Sequence, residues 1–118
     1  MKLLVLGAGA VGLCLAARLS AFCEVHALCR QQHAKAIARR GFRMSGIWGE
    51  GVFRFPASPE LPANPAFDYC LVTAKSLQTR SLCERFGRAL EGAELVSLQN
   101  GIGNEEILSE FSERVIGG

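Results

Sequence analysis

The spacing of apolar residues changes along this chain, and each change marks a new element. Residues 2–6, Lys2-Leu3-Leu4-Val5-Leu6, form the short apolar run of a buried strand. After Gly7-Ala8-Gly9-Ala10-Val11-Gly12, an apolar helix-forming stretch covers about 10–21. Residues 24–29, Glu24 to Cys29, read as a second strand. A helix over 31–40 follows, with Ala34, Ile37 and Ala38 as a small apolar stripe and Gly41 as its stop. The segments 42–46 and 52–55 alternate around Gly46, Gly49 and Gly51, which predicts a β-hairpin or two short edge strands. Pro56, Pro59, Pro62 and Pro65 predict a loop. Beyond it come a buried strand from Tyr69 to Thr73, a helix over 77–90, a strand over 94–98, a helix over 104–111 and the start of a strand at Val115-Ile116. Repeated strand–helix units of this kind predict an α/β fold across residues 1–118, a Rossmann-type, doubly wound and mainly parallel sheet.

Strand, glycine turn and helix in that order make Gly7-Ala8-Gly9-Ala10-Val11-Gly12 a dinucleotide-binding fingerprint rather than a stray glycine-rich loop. Gly7 permits the tight turn. Gly9 removes the side chain where a pyrophosphate must approach the backbone, and Gly12 lets the helix pack close to the strand. The helix start then offers free N–H groups and the positive end of its dipole to the phosphates. Lys2 with its apolar followers also has features of a secretory signal, but Arg18 interrupts the run where a signal's apolar core would continue. A cytoplasmic chain is expected, and no apolar stretch is long enough to span a bilayer.

Composition adds little beyond ordinary globularity. Hydrophobic residues make up 49% of the chain, enough to cover both faces of a buried sheet. The net charge is +2, with the cations dispersed except at Arg39-Arg40 and Arg43, which read as a solvated helix end; no nucleic-acid partner is expected. Five cysteines without a CxxC pair argue for reduced, mostly buried thiols instead of a disulfide framework. Cys23, His26 and Cys29 have the spacing of metal ligands, but strand alternation turns His26 away from both cysteines, and no metal site is expected.

Ligands of open α/β sheets bind outside the carboxyl ends of the strands. The residues expected there are the glycine turn, Arg30, Lys75 and Gln99-Asn100-Gly101. Single cations at strand ends are ordinarily just solvated; gathered at one edge, these groups read as a site. Arg30 bears on cofactor choice. An NAD-specific fold places an acidic residue about twenty residues beyond the turn to bind the ribose hydroxyls, whereas an Arg there favours a 2′-phosphate. The acidic residue nearest in sequence, Glu24, belongs to the other end of the strand. NADP(H) is therefore the expected cofactor, with an Arg that merely stacks on adenine as the alternative.

These residues resemble the ketopantoate reductases (2-dehydropantoate 2-reductases). The resemblance rests on the Lys2 to Gly12 start, Leu28-Cys29-Arg30, Leu71-Val72-Thr73-Ala74-Lys75 and Leu98-Gln99-Asn100-Gly101-Ile102-Gly103-Asn104-Glu105, and it runs through the whole chain. It implies that Lys75 and Asn100 lie beside the cofactor, with Asn100 also reaching the substrate pocket. A cation and a neutral donor and acceptor there suit a ribose and a substrate carboxylate. The plainer readings are a solvated helix start for Lys75 and a turn pair for Asn100-Gly101. The family also has a second, mainly helical domain that supplies the general-acid lysine, so the chain is expected to be truncated before it and no catalytic residue is assigned here. The implied reaction is NADPH-dependent reduction of a small 2-keto acid, 2-dehydropantoate, in pantothenate and coenzyme A synthesis. The alternative is a non-catalytic NADP(H)-sensing module. Loss of a domain would expose apolar surface and favour a homo-oligomer.

Overall fold

The computed structural model describes all residues except 8, 47–49, 62–65, 75–77, 91, 99–103, 112–113 and 118. The main sheet is built around β1 (Lys2–Leu6), which pairs in parallel with β2 (Glu24–Leu28) on one side and β6 (Tyr69–Val72) on the other. β5 (Ala57–Ser58) extends the sheet beyond β2, while β7 (Glu94–Ser97) and β8 (Val115–Gly117) extend it beyond β6. Among the described residues the order is β5-β2-β1-β6-β7-β8, all parallel. This is the doubly wound arrangement that the alternating strands and helices predict.

Side-chain alternation along the strands divides the interior into two cores. Leu3, Val5, Val25, Ala27 and Leu71 face the first, which is closed by α1 (Ala10–Leu19) and α2 (Gln31–Arg40) through Leu13, Ala16, Ala17, Ala34 and Ile37. Leu4, Leu6, Leu28, Cys70, Val72 and Leu95 face the second. There the cover comes from α3 (Thr79–Arg85), α4 (Gly87–Leu90) and α5 (Asn104–Ser109) through Cys83, Leu90 and Leu108. An exposed bidentate pair, Arg80 to Glu110 at 2.7 and 3.1 Å, links α3 to the end of α5.

Several local expectations are corrected. The helix expected over 77–90 is two helices, because Phe86 leaves helical geometry to enter the second core and Gly87 follows it. Ala38 is exposed, so the stripe of α2 is Ala34 and Ile37 alone. The proline-rich loop contains β5, held by Ala27 N–H to Pro56 O at 2.9 Å and Cys29 N–H to Ser58 O at 3.0 Å. Prolines flank this pairing on an edge strand, where their lack of an N–H is tolerated. The alternating segments do form a hairpin, β3 (Phe42–Met44) with β4 (Gly51–Phe53), as a separate antiparallel sheet.

Burial also settles the cysteines and His26. All five cysteines are free thiols, and burial pushes Cys83 up to about 11 and raises Cys70, so neither is a thiolate at neutral pH. Cys29 lies in the first core, with Cys23 packed against it. His26 points to the other face, its Nε2 2.8 Å from Ser58 Oγ. Ser58 donates its own hydroxyl proton to Glu60 O, so the imidazole must be the donor in the His26 contact. The contact fastens β5 to β2.

Burial holds the His26 pKa below the ordinary imidazole value. The unfolded chain then binds the proton more readily than the folded one. The contribution to stability is full above about pH 6.5, the unfolded value, and is lost as pH falls from there toward the lower folded pKa. Urea unfolding at pH 7.5 and 5.5 should show a loss of stability on acidification that shrinks in His26→Gln. An equal loss in both proteins would remove His26 from the account.

Candidate cofactor-binding site

Because β1, β2, β6 and β7 run parallel, the segments leaving their carboxyl ends share one edge of the sheet. The chain winds outward from β1 to β2 and β5, then returns to the other side of β1 at β6. The boundary between β1 and β6 is thus the topological switch point, where such sheets open a crevice for ligands. Thr73 N–H continues the ladder past β6 by donating to Leu6 O at 3.1 Å. Leu98 N–H does the same past β7, to Val72 O at 3.0 Å.

The glycine turn sits at this switch point, and its members face different constraints. Gly7 has φ +77°, and a Cβ there would run into Ala74 Cβ and lie 3.0 Å from Ala74 Cα and 3.1 Å from Leu82 Cδ1. Both backbone sign and packing demand glycine. Gly9 is exposed at the N-cap of α1, and a Cβ there would meet nothing within 4 Å. That opening is room for a ligand rather than a packing requirement. Gly12 is buried, as close helix–strand packing requires.

Helix α1 starts without a side-chain cap and without an acidic residue in its first turn, while Leu13 N–H closes the turn on Gly9 O at 2.9 Å. The N–H groups ahead of Leu13 have no intrahelical acceptor, and the dipole favours negative charge beside them. Val11, on the same turn, is 60% exposed. An apolar side chain at the mouth of an uncapped helix suits the flank of a bound nucleotide. These features fit the pyrophosphate of a dinucleotide.

Arg30 follows β2 on the same edge. Its backbone is extended (φ −64°, ψ 149°), its side chain is exposed, and its carbonyl accepts from His33 N–H at 3.0 Å and Ala34 N–H at 3.1 Å as the N-cap of α2. Glu24 pairs in register with Lys2 at the amino end of the sheet, away from Arg30. Glu60, just beyond β5, is drawn to Arg85 at 3.2 Å. Arg30 therefore has no ion-pair partner among the described residues.

Residues 3–118 match the family model described as ketopantoate reductase PanE/ApbA. The chain belongs to this family. It is 33% identical over 119 residues to the 2-dehydropantoate 2-reductase of Pyrococcus abyssi, covering all of this chain and 39% of that protein. The crystal structure of a PanE/ApbA family ketopantoate reductase from Ralstonia eutropha JMP134 superposes with a TM-score of 0.85 at 33% identity, over 99% of this chain and 40% of that one. A D-mandelate dehydrogenase in ternary complex with NADH and anilino(oxo)acetate shares the fold, with a TM-score of 0.84 at 23% identity over 100% of this chain and 40% of that one. The chain spans about two-fifths of the length of these relatives.

Within the family frame, Gly7, Gly9, Val11, Gly12 and Arg30 are brought to one edge, together with the backbone of Ala10. Ala8, Lys75 and Asn100 lie outside the described residues. Ala74 is the residue that sequence reading passed over. It is buried against the Gly7 turn, and its only trace in the sequence is a small side chain directly after a predicted strand.

The contrast between the two glycines is testable. Gly7→Val should destabilise the fold by at least about 1–3 kcal/mol, since it forces a branched residue into a left-handed conformation. Gly9→Val should leave circular dichroism and thermal unfolding nearly unchanged while abolishing dinucleotide binding in a calorimetric titration. Near-parental affinity in folded Gly9→Val would show that this loop holds no phosphate.

Proposed function

We propose that this chain is the NADP(H)-binding part of a cytoplasmic reductase that converts a 2-keto acid, 2-dehydropantoate, to the 2-hydroxy acid in pantothenate and coenzyme A synthesis. The observation that carries the cofactor choice is Arg30: exposed, free of carboxylate partners among the described residues, and on the edge of the sheet that holds the glycine turn. Its planar guanidinium suits the oxygens of a 2′-phosphate, and a carboxylate for the ribose hydroxyls of NADH does not follow β2. The mandelate dehydrogenase complexed with NADH shares only the fold and sets no cofactor preference here.

Bound NADPH would supply the hydride. The work of this chain is to hold and orient. The first-turn N–H groups of α1 receive the pyrophosphate, Gly9 gives it access, and Arg30 fixes the adenosine end. Family resemblance assigns Lys75 and Asn100 to the ribose and the reacting end, with Asn100 also holding substrate. It places the proton donor on a second, mainly helical domain, in the part of the relatives that these 118 residues do not span. The five free thiols suit a reducing compartment.

Calorimetric titration of NADPH and NADH should show tighter NADPH binding, with Arg30→Ala removing most of the difference. Loss of about 1.5–3 kcal/mol corresponds to roughly ten- to hundredfold in affinity. Equal affinities in the parent chain would overturn the NADP(H) assignment.

Turnover separates the two parts of the reading. The 118-residue chain should bind cofactor yet show no 2-dehydropantoate-dependent loss of NADPH absorbance, since a positioned general acid alone contributes about 10²- to 10⁴-fold. In a reductase that contains this chain, Lys75→Ala and Asn100→Ala should both impair turnover, Asn100→Ala with the larger rise in KM for the keto acid. Robust turnover by the 118-residue chain would refute the division of labour, and unchanged kinetics in both variants would reduce the two residues to ordinary strand-end positions.

A further inference from the structure

Two residues that follow β6, Thr73 and Ala74, grip the point where β1 passes into the glycine turn. Thr73 N–H donates to Leu6 O at 3.1 Å, and Thr73 Oγ1 donates to the same carbonyl at 3.4 Å. That carbonyl belongs to the peptide joining Leu6 to Gly7, so the peptide plane is held from the β6 side. Ala74, 4% exposed, packs its methyl against Gly7, and Leu82 of α3 closes the space beside it. Past this point the wall ends: a Cβ on Gly9 would meet nothing within 4 Å.

Glycine is the residue least able to hold its own dihedral angles, so the φ of +77° at Gly7 must be kept by its surroundings. Helix α1 begins at Ala10, three residues further on, and a change at Gly7 swings its first turn. Hydrogen bonds from backbone N–H groups to phosphate oxygens are short and directional, so they weaken steeply when the donors are misaimed. The contacts at Gly7 therefore bear on where the free N–H groups of α1 point.

We infer that Ala74 is a positioning residue for the cofactor: its methyl, together with the two Thr73 hydrogen bonds, sets the place of the glycine turn and through it the N–H groups that receive the pyrophosphate. The inference rests on the proposed dinucleotide site and adds to it a residue buried behind the turn. A larger side chain at 74 would push Gly7 away from β6, and a smaller one would let it drift. Either change misaligns the pyrophosphate donors while leaving Arg30, at the far end of the cofactor, as it was.

Calorimetric titration of the 118-residue chain with NADPH and with adenosine 2′-monophosphate tests it, with circular dichroism on every variant. The second ligand carries the phosphate that Arg30 is proposed to hold but no pyrophosphate, so it reports on the adenosine end alone. Ala74→Val should weaken NADPH by about tenfold or more, the loss of a charge-assisted hydrogen bond. Adenosine 2′-monophosphate should stay within about twofold of its parental affinity, as for an independent site. Ala74→Gly, the milder change for folding, should weaken NADPH in the same direction by roughly threefold or more, since binding must then order a loosened turn. Parental NADPH affinity in either folded variant, or an equal loss for both ligands, would overturn the role of Ala74 and leave the cofactor site standing. A folded parent that binds neither ligand would overturn the cofactor site itself, and this inference with it.

Discussion

The parallel pairing of β1 with strands on both its sides is the constraint on which the rest of this molecule hangs. Leu4, Val5 and Leu6 have no solvent exposure, and their alternation sends Val5 into one core and Leu4 and Leu6 into the other. Backbone hydrogen bonds inside such an interior are obligatory, since an unpaired buried amide costs far more than a paired one returns. The strand must therefore keep partners on both edges until it emerges. Where it does emerge, the chain has to turn at once, because Ala74 occupies the space beside Gly7. The glycine at this position answers to packing before it answers to any ligand.

That geometry separates the glycines by function. A substitution at Gly7 collides with the protein, whereas one at Gly9 projects into open space at the start of α1. The same edge gathers the uncapped helix start and the guanidinium of Arg30, which has no ion-pair partner among the described residues, while Glu24 is held at the far end of its strand. Positive potential and open space coincide there, which is the condition for binding a phosphorylated anion. The opposite edge has another character. It carries a groove whose lining mixes Val25, Phe55 and Phe67 with Lys2, Glu24 and Arg54.

Membership of the ketopantoate reductase family accords with this division, since the chain covers about two-fifths of its relatives. A fold of this kind supplies a cofactor platform, and the chemistry performed upon it depends on what the platform is joined to. The Rossmann-like frame, the switch point and the glycine turn are properties of these residues themselves. Substrate choice is not.

Read alone, the chain determined its element order and which residue types stand just past the strands. Apolar runs, helical stripes and glycine stops are local signals that survive without neighbours, so β1, β2, α2 and the turn at Gly7 stood where the pattern placed them. Arg30 was legible for the same reason, lying one residue past a recognisable strand. Tertiary structure alone decided which strands are adjacent, that two residues between prolines join the sheet as β5, and that the helix breaks at Phe86. It also decided that Ala74 fills the space beside Gly7 and that His26 meets Ser58. Periodicity encodes whether a single residue is buried. Contacts between residues such as Thr73 and Leu6, 67 positions apart, depend on which elements the fold brings together.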